Sequence, residues 1–90
     1  MRIQFSEHAL ERMRSRNLTT DQIKEAIKNP DQQFRNQIGI VIHKILNENE
    51  SPQKLLLRVF YKEDEDRIVI ISAYKTSNIE KYWKGEMNED

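Results

Sequence analysis

The sequence predicts an α+β domain: an N-terminal helical hairpin packed on a twisted antiparallel sheet of three to four strands, with a short C-terminal helix. Three observations predict it. Residues 6–29 carry apolar positions at helical spacing between start and stop signals. From Ile38 onward the pattern turns β-branched and alternating. Near the end, "TSNIEKYWKGE" returns to a helical pattern.

The opening "RIQF" reads as a short strand or an ordered lead-in. Ser6 suits the N-cap of a helix over residues 7–16, because its hydroxyl accepts from an unpaired first-turn amide. Glu7 then sits where the helix dipole favours an anion. Ala9, Leu10, Met13 and Leu18 form the inward stripe. Thr19 with Gln22 matches a capping box, and Leu18 with Ile23 the accompanying hydrophobic staple. Ile23, Ala26 and Ile27 make the buried stripe of this second helix. Asn29–Pro30 ends it, since the residue before proline avoids helical angles.

"IGIVIHKIL" reads as a strand and "NENESPQ" as a loop. "KLLLRVFYK" and "RIVIISAYK" form an antiparallel hairpin about "EDED". A turn symmetric about Asp64–Glu65 places Arg58 opposite Ile71 and Leu57 opposite Ser72. Alternation then puts Leu57, Val59, Tyr61, Ile68, Ile70, Ser72 and Tyr74 on one face. Arg58, Phe60, Val69, Ile71, Ala73 and Lys75 share the other, so Arg58 and Tyr74 are expected on opposite faces. Both faces are apolar, as expected of central strands covered at least in part on both sides. Ser77 with Glu80 suggests a further capping box and Gly85 a C-cap. The 90 residues fit one domain, with residues 86–90 expected to fray.

Composition narrows the classes of function. There is no cysteine, which fits a reducing cytoplasm and excludes thiolate chemistry. No apolar leader is visible, and the longest apolar run is four residues, so no membrane association is expected. Lys plus Arg and Asp plus Glu are both 15, giving zero net charge, so attraction to nucleic acid has to come from local patches. The two histidines lie far apart, which argues against a zinc site, and no metal or other cofactor is expected. The two glycines form no phosphate-binding loop.

His8, Arg12 and Arg16 are spaced by four and share one helix face, beside the Ala9–Met13 stripe. Like charges at this spacing weaken a helix, and a bound anion would offset the repulsion. Cleaving a phosphodiester without metal needs a base for the 2′-hydroxyl, an acid for the leaving oxygen and a cation on the phosphate. His8, His43, Arg12, Arg16, Arg58, Lys44, Lys75, Tyr61 and Tyr74 supply those types. Each also has a structural reading. His8 suits a hydrogen bond near the helix start, and the arginines suit a solvated face. His43 suits an ordinary cross-strand position, and Tyr82 and Trp83 suit the core. Arg58 is harder to place, because a cation within "LLLRVF" needs a partner or a pocket.

"FSEHALERMRSRNLTTDQIKEAIKNP" resembles the opening of a small bacterial and archaeal group, the domain-of-unknown-function family four-two-five-eight. The resemblance rests on His8-Ala9, Arg12-Met13, Arg16 and Asn29-Pro30. It extends to "IVIISAYKTSNIEKYW", where Ser72 and Tyr74 occupy a Thr/Ser-x-Tyr step. That family looks like part of the RelE/barnase-like ribonuclease assemblage, many of whose members are toxins of toxin–antitoxin pairs. The resemblance implies a RelE/barnase-like fold and a metal-independent endoribonuclease acting by 2′-hydroxyl attack. It also implies an RNA substrate, free or on the ribosome, and a cognate antitoxin partner. His8, Arg12, Ser72 and Tyr74 match the motif steps as candidate catalytic residues. Arg58 joins them on its chemistry, with Arg16, Lys44 and Lys75 as candidate RNA-binding residues. The zero net charge keeps open a second reading, a non-catalytic module that binds RNA or protein.

Overall fold

A computed structural model of the chain describes residues 2–47 and 53–85. In chain order the elements are β1 (Arg2–Phe5), α1 (Glu7–Ser15), α2 (Thr20–Lys28), β2 (Gln32–Arg35), β3 (Ile40–Asn47), β4 (Lys54–Asp64), β5 (Arg67–Thr76) and α3 (Ile79–Tyr82). The expected tail at 86–90 and most of the "NENESPQ" loop lie outside the described residues.

The expected fold class is corrected. The sheet has five strands in the order β1-β5-β4-β3-β2, not three to four, and it is mixed, not antiparallel. β1 runs parallel to β5, with Arg2 opposite Arg67 and Phe5 opposite Ile70. β2 pairs antiparallel with β3, with Gln32 opposite His43. Strand, not helix, is the main constituent. The helical hairpin is corrected as well. α1 packs over β5 and α2 over β3 and β4, so each helix turns its apolar stripe mainly to the sheet.

Local signals explain the helices. Ser6 accepts from the Ala9 amide at 3.0 Å. The Thr19 hydroxyl accepts from the Gln22 amide at 3.1 Å, while the Thr19 amide donates to Gln22 Oε1 at 3.0 Å. α1 ends in a Schellman motif. Leu18 N–H donates to Met13 O, Asn17 N–H to Arg14 O, and Asn17 takes the left-handed φ of 60° that asparagine tolerates. This stop fixes the position of Arg16, the C-cap residue. The expected second box at Ser77 and Glu80 does not form. α3 is a single turn with Asn78 at its N-cap and no side-chain cap, and the Asn78 amide donates instead to Thr76 Oγ1.

The helices and sheet enclose a core of Ala9, Met13, Leu18, Ile23 and Ala26 against Ile40, Ile42, Leu57, Val59, Ile68, Ile70 and Ala73. Fully burying each Ile, Leu, Val or Met contributes about 1.5–3 kcal/mol before entropy is counted. Gly39 enters β3 so close to β4 that a Cβ would strike the Tyr61 carbonyl oxygen.

The hairpin register departs from expectation in a way that shapes everything on the other face. The turn falls at Glu65–Asp66, with Asp64 opposite Arg67, one residue later than the symmetric turn expected. Tyr61 pairs with Ile70 but Phe60 pairs with Ser72, leaving Ile71 as the extra residue of a β-bulge. One inserted residue reverses side-chain parity beyond it. Ile68 and Ile70 face the helices before the bulge, and Ala73 and Lys75 after it. Ser72 and Tyr74 therefore turn to the open face, and Arg58 lies directly opposite Tyr74, not Ile71.

Candidate functional site

One transverse row crosses four strands on the face away from α1 and α2. Gln32 of β2 lies opposite His43 of β3, His43 opposite Arg58 of β4, and Arg58 opposite Tyr74 of β5. The side chains are joined in the same order. His43 Nδ1 meets Gln32 Oε1 at 2.8 Å, Arg58 Nε donates to His43 Nε2 at 3.0 Å, and Arg58 Nη1 donates to the Tyr74 hydroxyl at 2.7 Å.

These partners fix the tautomer of His43. Gln32 Oε1 can only accept, so Nδ1 carries the proton, and Nε2 accepts from the arginine. The ring is fully buried. Burial, then the Arg58 charge and then the Lys84 charge push its pKa down to about 4. Near neutral pH the imidazole is uncharged with both nitrogens engaged. It is a support for Arg58, with its one ring N–H held by Gln32.

Arg58 is half-buried and framed by rings, with its Cζ 4.3 Å from the centroid of Tyr82, 5.0 Å from Phe60 and 5.7 Å from Tyr74. Among the described residues no carboxylate pairs with it; the ion pairs there are Arg35–Glu63 and Arg67–Asp64. More cations stand at the rim. Arg16 donates from Nη1 to Ala73 O at 2.9 Å and lies 5.9 Å from the Tyr74 ring. It reaches this margin because β1 stops pairing at Ile70, which exposes the outer edge of β5. Lys81 sits over Tyr82, and Lys84 over Phe34.

The C-terminal segment crosses above the row. Tyr82 covers Arg58, and Trp83 stacks on His43 at 6.1 Å and 22°. A hydrogen bond from Tyr74 is the main reason the Tyr82 phenol is held below its ordinary pKa. Burial opposes that shift, and Lys81 and Arg58 add to it.

The residues expected from sequence separate into groups. Arg58 and Tyr74 meet directly, Ser72 lies on the same face opposite Phe60, and Arg16 stands at the margin. His8 and Arg12 are exposed on α1, on the helix-covered side, and take no part in the row. His8 is about 12 Å along the helix from Arg16. Lys44 points to the helix layer and donates to Asn29 O at the end of α2. Lys75 pairs with Leu57 on that same side. Sequence reasoning left Gln32, Phe60, Tyr82, Trp83 and Lys84 out of the candidate set and read His43 as an ordinary strand residue. The usable signal was His43 itself, a polar residue out of phase with Ile40 and Ile42.

Three surface depressions among the described residues lie elsewhere. They are lined by Arg2, Ile3 and Gln4, by Glu7, Leu10, Glu11 and Arg14, and by residues around Lys54 and Ser77. We favour the open face as the site over these depressions because a guanidinium with no carboxylate partner among the described residues has a chemical requirement and they show none. Among the described residues no cluster of three or more His, Asp or Glu could hold a metal ion, and no helix is long and apolar enough to cross a membrane.

Comparison with known proteins matches residues 5–75 to the family described as Domain of unknown function (DUF4258). No curated protein and no solved structure matches the chain.

Proposed function

The chain belongs to the DUF4258 family, and we propose that this member is a metal-independent endoribonuclease, working in the cytoplasm as the toxin of a toxin–antitoxin pair. Its open sheet face takes single-stranded RNA. The observation that carries this reading is Arg58: a guanidinium held rigidly by two hydrogen bonds, ringed by aromatics, with no carboxylate among the described residues. Its remaining N–H groups suit the paired oxygens of a phosphodiester. The rings of Tyr82 and Phe60 offer platforms for bases, as single-stranded RNA requires.

In this reaction the 2′-oxygen attacks phosphorus and its proton passes to a base. The bond from phosphorus to the 5′-oxygen breaks, and that oxygen takes a proton from an acid. The products are a 2′,3′-cyclic phosphate and a 5′-hydroxyl. Arg58 stabilises the charge on phosphorus, with Arg16 at the margin. His43 is committed elsewhere, so proton transfer falls to the Tyr74–Tyr82 pair, whose outer phenol is shifted toward the working range. Ser72 lies two cross-strand pairs from Arg58 on the same face, in reach of the same strand of RNA.

The zero net charge and the locked neutral state of His43 favour a second reading, a non-catalytic RNA- or protein-binding module. A labelled single-stranded RNA incubated in chelator separates the two. The enzyme yields cyclic-phosphate ends, with the yield falling about 100-fold or more in Arg58→Ala. Arg58-dependent binding without cleavage identifies the module. If the folded protein neither binds nor cuts RNA, the RNA reading fails.

A further inference from the structure

The Gln32 side chain makes three contacts. Its Nε2 donates to the Lys84 carbonyl at 2.7 Å, and its Oε1 accepts from the Lys84 amide at 3.1 Å. The same Oε1 holds His43 Nδ1 at 2.8 Å. One amide therefore grips the main chain of the C-terminal segment as a neighbouring strand would, and also orients the imidazole that receives Arg58 Nε–H.

Among the described residues, the segment it grips has few other polar ties. α3 is four residues long, with no side-chain cap, and a single turn does not sustain itself in water. Past Gln32, its fastening among the described residues consists of the Tyr74–Tyr82 hydrogen bond and ring contacts: Trp83 on His43, Tyr82 against Tyr74 and over Arg58, and Lys84 on Phe34. Tyr82 lies nearest of the three rings to the guanidinium that the proposed function assigns to phosphate. A nucleotide reaching Arg58 has to displace or share that ring.

We infer that Gln32 is a positioning residue that latches the segment Ile79–Lys84 as a lid over Arg58, and couples lid closure to the orientation of Arg58 through His43. Opening the lid bares the guanidinium to an incoming phosphate, and reclosing returns Tyr82 to Tyr74. Closing it restores the neutral His43 support. The consequence for RNA rests on the proposed function; the latch itself does not, and is read without RNA.

Trp83 is the only tryptophan in the chain, so its fluorescence reports the lid directly. The test uses the full chain with acrylamide as quencher, together with the arginine Nε–H signals in a proton–nitrogen NMR spectrum. In wild type, Trp83 is half-buried and the Arg58 Nε–H exchanges slowly with solvent. Gln32→Ala raises the quenching constant about twofold or more and speeds exchange of the Arg58 Nε–H, while thermal unfolding stays cooperative. Gln32→Glu keeps the acceptor for His43 and for the Lys84 amide but loses the donor to the Lys84 carbonyl. It sets a carboxylate oxygen against the Lys84 carbonyl oxygen and raises quenching as well. This second variant reads the latch even if the alanine variant fails to fold. Unchanged quenching in both variants overturns the latch. A freed Trp83 with an unchanged Arg58 Nε–H in Gln32→Ala overturns the coupling. RNA inactivity of the wild type, with the quenching and exchange shifts intact, overturns the proposed function and leaves the latch standing.

Discussion

Arg58 hands its Nε–H to His43 Nε2 across 3.0 Å, so a buried neutral imidazole serves as the acceptor where a carboxylate usually stands. A carboxylate would cancel the charge. An imidazole orients the guanidinium and leaves the positive charge available to a ligand. Arg58→Lys tests this, since lysine keeps the charge but cannot donate to His43 and Tyr74 from one planar group. RNA cleavage, or binding in the non-catalytic case, is expected to drop about 10-fold or more in a gel or anisotropy assay. Full retention would show that only the charge matters.

His43 gives stability a pH dependence of definite sign. Its ordinary value of 6.5 applies to the unfolded chain, and the folded value is about 4. Between those limits the unfolded chain binds the proton more readily, so acid favours unfolding. The contribution is fully present above about pH 6.5, declines as pH falls, and is lost below about pH 4. It amounts to roughly 3 kcal/mol in total. Urea denaturation across this window checks it. His43→Gln accepts from Arg58 without titrating, and should show a shallower loss than wild type.

Tyr74→Phe removes both the acceptor of Arg58 Nη1–H and the donor to Tyr82. The Tyr82 phenol should then titrate at higher pH than in wild type. Ultraviolet titration of phenolate can follow it, because Tyr61 is the only other tyrosine left, and burial raises the Tyr61 pKa. An unmoved Tyr82 transition would sever the chain between the two hydroxyls.

His8→Ala and Arg12→Ala should leave cleavage within about twofold of wild type, because both residues are exposed on the helix-covered side of the sheet. A loss comparable to that of Arg58→Ala, with folding intact by circular dichroism, would return the chemistry to α1 and reject the open face.

Gly39→Ala forces a methyl group into the Tyr61 carbonyl and should destabilise the fold by about 1–3 kcal/mol in chemical denaturation. The cost comes from crowding at the β3–β4 approach.

The parts of this fold legible in the sequence are those governed by near neighbours. The Ser6 cap, the Thr19–Gln22 box and the proline stop act over three or four residues, and the long β-branched strands declare themselves by composition. β2 escaped because four residues are too few to show a period. The parallel partnership of β1 with β5 escaped because nothing near Arg2 refers to Arg67. The bulge escaped for a sharper reason: Ile70 and Ile71 are both apolar, so the sequence could not show which was the extra residue. That ambiguity sent Tyr74 to the wrong face. The candidate site was legible as residue types at Arg58 and Tyr74. It was not legible as a constellation, because the row through Gln32 and His43 exists only once four strands align.

β1 has to wait for every helix and strand that separates it from its partner. Its partner, Arg67–Ile70, emerges from the ribosome only after both helices and three strands have been made. Until then Ile3 and Phe5 have nowhere to bury themselves, and contacts of such long range are among the slowest to form. Residues made ahead of both helices are thus among the last to be secured, and a chain in which β1 is undocked offers β5 as an uncovered edge to any extended peptide nearby.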